Sequence, residues 1–151
     1  MPMTKLKEFL DANGVKYVTI SHSQAFTSLE IAASAHIKGR EIAKTVVVNL
    51  DGRLAMAVLP GTRKVDLEKL RQGVGAASAE LASEGEFLGE FPGCELGAMP
   101  PFGNLFRMEV FVDPGLAEDE EIAFNAGSHT ELVRLPYADF ERLVKPKPVP
   151  M

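Results

Sequence analysis

The hydrophobic positions change period several times along the chain, and each change marks an element. Leu6, Phe9 and Leu10 recur at helical spacing within residues 5–12, and Asn13-Gly14 closes that helix. Val15-Lys16-Tyr17-Val18-Thr19-Ile20 is β-branched and aromatic and predicts a strand. Thr27-Ser28-Leu29-Glu30 has the form of a capping box, in which hydroxyl and carboxylate satisfy orphan backbone donors, and it opens a helix running to Ala35. Residues 43–50 and 53–59 are apolar strand-like runs joined by Asp51-Gly52, a hairpin signal. Asp66 predicts the cap of a helix that carries Leu67 and Leu70 and stops at Gly73; a second short helix is expected over 78–83.

In the second half, residues 105–112 alternate as a strand should, and Asp113-Pro114-Gly115 turns the chain. Residues 121–125 and 130–135 are two more strands flanking Ala126-Gly127-Ser128-His129. Pro136 suits the first position of a last helix with Phe140, Leu143 and Val144 inward. The proline-rich end, 146–151, is expected to be a disordered tail. Hairpin-linked strands with interspersed helices predict a single α+β domain over 1–145 and exclude a doubly wound fold.

Composition adds bounds. The chain has 151 residues, enough for a core without staples, and its single cysteine cannot form an internal disulfide, as suits the cytoplasm. No apolar run reaches bilayer length, and the first residues carry no signal-peptide core, so a membrane partner is not expected. The net charge of −5 gives no global basic footprint of a dedicated nucleic-acid binder. Lys38, Arg40, Arg53, Arg63 and Lys64 are the residues that could make a local basic patch.

Between Gly93 and Gly103 three glycines and the pair Pro100-Pro101 rule out a helix or central strand, yet Cys94, Leu96, Met99 and Phe102 are apolar. Such a segment is either the wall of a small-molecule pocket or a well-packed surface loop. Lys44 enters the valine run at the start of a buried strand, where it either lines a cavity or snorkels to water. His129 follows a glycine-serine turn, where its imidazole either exchanges a proton near neutral pH or bonds the backbone. Asn125 is a polar contact or a strand-end cap. His22, His36, His129 and Cys94 do not fall at zinc-ligand spacing, so no metal is expected, and Cys94 reads as a packed thiol.

Four segments in order resemble the YbaK/prolyl-tRNA synthetase-associated editing domain family. They are Lys44-Thr45 entering the valine strand, Val65-Asp66-Leu67-Glu68-Lys69-Leu70, the loop ending Pro100-Pro101-Phe102-Gly103, and Asn125-Ala126-Gly127-Ser128-His129-Thr130. The likeness spans roughly residues 4 to 144, and its Gly-Ser-His-Thr ending is similar to the freestanding alanine-type members. The resemblance implies a mixed, largely antiparallel curved sheet with short helices around it. It implies an enzyme that hydrolyses, in trans and without a cofactor, the ester of a wrong, small amino acid on tRNA, alanine on proline tRNA being the example.

Within that reading, Lys44 and His129 are the catalytic candidates. Gly97, Ala98, Met99, Pro100, Pro101, Phe102, Gly103, Asn125, Gly127, Ser128 and His22 are the substrate-binding ones, with Leu96, Met99 and Phe102 as sieve walls. The implied partners are the acceptor end of aminoacyl-tRNA and a synthetase that delivers it. The competing reading is a non-catalytic domain that senses an amino acid or nucleotide in the same pocket.

Overall fold

A computed structural model describes residues 2–21, 38–87, 89 and 98–151. Helix α1 (Pro2–Ala12) buries Leu6 and Leu10 completely, and Asn13 closes it by donating from its side-chain amide to the Phe9 carbonyl at 2.8 Å. Strand β1 (Val18–Ser21) is shorter than the predicted run: Val15 is buried in the core, and the Tyr17 hydroxyl donates back to the Asp11 carboxylate at 3.1 Å.

The centre of the molecule is the hairpin of β2 (Ala43–Leu50) and β3 (Arg53–Pro60), antiparallel over its whole length. Its two turn residues take positive φ, 53° at Asp51 and 87° at Gly52, as the Asp-Gly pair predicts. Helix α2 (Leu67–Val74) follows, with the Asp66 carboxylate accepting from the Glu68 and Lys69 amides, both at 3.1 Å. The helix continues past Gly73 and ends at Gly75. Gly73 is needed for space instead: a Cβ there would run into Val149.

The short helix expected over 78–83 is instead a strand, β4 (Ala79–Leu81), antiparallel to β2, followed by one turn of helix, α3 (Glu84–Phe87). The Asp51 carboxylate takes the amides of Ala77 and Ser78, and this pulls the chain onto the sheet edge, where pairing outweighs local helix preference. Strand β5 (Glu109–Val112) starts four residues later than predicted. Gly103–Leu105 is a 3-10 turn, the Gly103 carbonyl accepts from the Phe106 and Met108 amides, and Arg107 takes φ 58°.

Strands β6 (Glu121–Asn125) and β7 (Glu131–Pro136) form the predicted hairpin, and Pro136 caps α4 (Tyr137–Val144) from the position before its first residue. The tail is not loose. Lys147–Pro148 forms β8 on β5, while Val149 and Met151 are 5% exposed in a cluster with Leu70.

Two sheets result, one ordered β4-β2-β3-β5-β8 and one ordered β1-β7-β6, joined by a parallel bridge between Ile42 and Ala123. The central sheet is buried on both sides, which accounts for the nearly unbroken apolar run of β3. Met56 and Val58 face a large core shared with α1, α4 and the second sheet, while Ala55, Ala57 and Leu59 face a smaller one under α2 and the tail. The α+β fold with a mixed sheet and short helices is as expected.

Candidate active site

The parallel bridge at Ile42 and Ala123 sets the first strand of the central hairpin and β6 running the same way. Lys44 and Asn125 each lie two residues past that bridge, so the alternation of side chains puts them on one face of the two strands. The opposite face carries Ala43, Val47, Ile122 and Phe124 into the large core.

Lys44 is half-buried, and its ammonium donates to the carbonyl of Arg63. Burial first, then repulsion from Lys64, holds its pKa below the ordinary lysine value. An ammonium has three donors and spends one on Arg63, so the others are available to a ligand. Among the described residues the Asn125 side-chain oxygen is buried without a hydrogen-bond partner, as is the Thr45 hydroxyl on the other face of the strand. Buried polar atoms in this condition cost folding free energy and are kept where something else meets them.

The turn after β6 is tied to the proline loop. Gly127, at φ 100°, donates its amide to the Ala98 carbonyl at 2.8 Å, and Ala126 donates to Glu131 at 3.2 Å. The Ser128 hydroxyl accepts from the Thr130 amide at 3.2 Å, and His129 is 5% exposed. Three of the predicted segments, at Lys44, Ala98 and Asn125–His129, thus converge at one end of the molecule.

Within the loop the structure separates roles the sequence had merged. Ala98, Met99, Pro100 and Pro101 are buried beside the turn. Phe102 is a core residue rather than a sieve wall: it is fully buried, with ring centroids 6.1, 5.4 and 5.8 Å from Phe9, Phe124 and Phe140. Met99 joins the same cluster. Gly103 serves packing, since a Cβ there would come 2.5 Å from the Met108 carbonyl oxygen. His22, Gly97, Leu96, Cys94, His36 and the 27–30 capping box lie outside the described residues.

Four of the five basic residues gather on the Lys44 side. Arg40 and Arg63 line one cleft of about 690 Å³, Lys64 acts on Lys44, and Lys38 acts on Asp119, which pairs with Arg40 at 3.9 Å. Arg53 lies apart, in a cleft of about 310 Å³ by the hairpin turn. Sequence reasoning missed Arg63 and Asp113 as a pair. They are fifty positions apart, and nothing local marks either beyond an exposed arginine and a turn aspartate.

The sequence model of the aminoacyl-tRNA editing domain matches residues 22–143. The chain belongs to that family. A multifunctional Ser/Thr-tRNA deacylase, ProXp-y of Escherichia coli K12, is 33% identical over 95% of this chain and 88% of its own. Proline–tRNA ligase of Bacillus mycoides is 30% identical over 58% of this chain and 15% of the ligase. Among solved structures, a candidate trans-editing enzyme for prolyl tRNA synthetase superposes with a TM-score of 0.82 at 21% identity, over 99% of this chain and 97% of that one, a likeness of fold. The editing-domain reading of the four segments therefore stands, and no helix among the described residues is long and apolar enough to cross a membrane.

Proposed function

We propose that this editing domain is a trans-acting deacylase that hydrolyses the ester between a small, wrong amino acid and its tRNA in the cytoplasm. What carries the reading is Lys44 and Asn125 sharing one face beside a turn that ends in a buried histidine. An aminoacyl ester is already activated, so the protein needs to hold it, place a water and stabilise the charge that develops on the carbonyl oxygen. Water forms the new bond to the carbonyl carbon, the bond to the ribose oxygen breaks, and the water's proton ends on that oxygen.

Lys44 supplies a fixed cation for the oxyanion. Asn125 offers an acceptor that suits the amino acid's ammonium or a side-chain hydroxyl. His129 orients the water or carries its proton, and Ser128 with Gly127 completes the turn that positions it. The buried segment from Ala98 to Pro101 limits the size of the amino acid, which is the discrimination that affinity alone delivers poorly. Alanine, serine and threonine are the substrate class, the last two suggested by the deacylase relative. With a net charge of −5, contact is confined to the acceptor end, met by Lys38, Arg40, Arg63 and Lys64, with a synthetase delivering the charged tRNA.

The test is initial-rate hydrolysis of alanyl-, seryl- and threonyl-tRNA by wild type and His129→Ala. Release of one or more, slowed in the variant, is the expected result. No release of any by folded wild type would overturn the deacylase reading in favour of a sensor.

A further inference from the structure

Asp113 is a buried carboxylate, 3% exposed, at the end of β5. Its Oδ2 pairs with the Arg63 guanidinium and accepts the Gly115 amide at 2.9 Å, and its Oδ1 accepts the Met151 amide at 3.3 Å. The Asp113 amide itself is fixed, donating to the Val58 carbonyl at 2.8 Å. Arg63 lies on the turn after β3, and its side chain reaches across to β5 while its own carbonyl takes the Lys44 ammonium. The turn is also held by the Gly61 amide donating to the Ile42 carbonyl at 2.8 Å and the Arg63 amide donating to the Pro60 carbonyl at 3.0 Å.

Gly115 completes the arrangement. A Cβ at that position would lie 2.8 Å from the Arg63 guanidinium and 2.8 Å from the Asp113 carboxylate, so an alanine there would make one of the two charged ends shift. Charge-assisted bonds of this kind are shorter and stronger than neutral ones, and here one partner is withdrawn from water.

We infer that the Arg63–Asp113 ion pair is a positioning device for Lys44: it holds the Arg63 peptide so that the carbonyl fixes the lysine ammonium at the point where the substrate ester meets it. The inference rests on the proposed role of Lys44 at the ester. Neither Arg63 nor Asp113 touches the substrate through this contact; they act through the lysine. The device lines the 690 Å³ cleft together with Arg40, Glu118 and Asp119.

The experiment uses three variants of the full chain. Gly115→Ala wedges the pair apart and keeps both charges, Arg63→Met removes the cation, and Arg63→Lys restores a charge. Lysine side chains labelled with ¹³C and ¹⁵N report on Lys44 by NMR without any need for activity, and single-turnover deacylation reports on the chemistry. In Gly115→Ala and Arg63→Met, the expected result is a Lys44 titration and ammonium chemical shift displaced from wild type and a kcat lower by roughly 10- to 100-fold, as for a misplaced catalytic group. KM changes little in Gly115→Ala, which keeps the Arg63 charge for the acceptor end. Arg63→Met also raises KM, and it lowers the thermal midpoint because it leaves the buried Asp113 carboxylate unpaired. Arg63→Lys recovers part of the loss. Should Gly115→Ala fail to fold, Arg63→Met, whose side chain is half exposed, carries the test.

A Lys44 titration and kcat unmoved in folded variants would overturn the inference while leaving the deacylase reading intact. A wild-type protein that hydrolyses nothing, with the NMR shift still present, would overturn the deacylase reading and leave the device standing as a fixture of the fold.

Discussion

The two ends of the β2–β3 hairpin are built from the same kinds of residue and treat them in opposite ways. At the turn end, the Asn49 side chain accepts the Gly52 amide at 2.8 Å, and the Asp51 carboxylate takes the amides of Ala77 and Ser78 at 3.0 and 2.8 Å. The Asp51 pKa is held below the ordinary carboxylate value by those backbone donors, Ala77's first. At the other end, the Lys44 ammonium is half-buried near Lys64, and the Thr45 hydroxyl and the Asn125 oxygen are buried without partners among the described residues. One end spends its polar groups on the fold, and the other, beside the Lys44–Arg63 contact, keeps back the Asn125 oxygen and the Thr45 hydroxyl at a cost in stability. That difference supports our proposal that a ligand completes the bonding of Lys44 and Asn125 at the second end.

The largest effect expected at the site end is from Lys44→Ala. Deacylation should fall by about 100-fold, the loss typical of one preorganised charge at an oxyanion, with the thermal midpoint nearly unchanged. A comparable fall in the midpoint would make Lys44 structural. Asn125→Ala should slow deacylation by about tenfold, or about 1.4 kcal/mol, because a single acceptor for the bound amino acid is lost. Its steady-state kinetics should show this without loss of stability.

Thr45→Val replaces an unpartnered buried hydroxyl by a methyl of similar shape and should raise stability by about 1 kcal/mol, read from urea unfolding. A decrease would mean that the hydroxyl is satisfied in solution. The reverse pattern belongs to the turn end. Asp51→Ala should lower the thermal midpoint and detach β4, leaving the deacylation rate as in wild type, and a loss of rate would dissolve the contrast between the ends.

The smallest effect is on pH dependence. Lys44 acts as a cation, so activity is full below its lowered pKa and is lost as pH rises through it, earlier than for an ordinary lysine. Lys64→Gln removes a repelling charge, so the alkaline limb of kcat should move to higher pH, after subtraction of spontaneous ester hydrolysis. Folding stability follows the opposite sign. The unfolded lysine holds its proton longer, so the contribution of Lys44 to stability rises as pH climbs from the lowered folded value to the ordinary one.

Much of this was legible in the chain because its signals are local. Asp51-Gly52 gave the hairpin, Asp66 gave the helix cap, and the Gly-Ser-His turn gave β6 and β7 with their borders nearly right. What failed to show was decided by contacts distant in sequence. The helix expected at 78–83 became β4 through pairing with β2 and the Asp51 carboxylate, and the tail was drawn in by β5 and by the notch at Gly73. Phe102, read as a pocket wall from its loop, belongs to an aromatic core assembled from α1, β6 and α4. In the site, Lys44, Asn125 and His129 were readable by type and by family likeness. The common face of Lys44 and Asn125 depends on a bridge between two sheets, and the Arg63–Asp113 pair on the packing of a turn against β5.

The most direct measurement is single-turnover deacylation of seryl-, threonyl- and alanyl-tRNA by wild type and Lys44→Ala, with thermal unfolding of both proteins in the same buffer. The account predicts rapid release of at least one amino acid by wild type, lost in the variant, with superimposable unfolding curves. Equal release by the two proteins would remove Lys44 from the chemistry and with it the claim that this end of the hairpin is the active site.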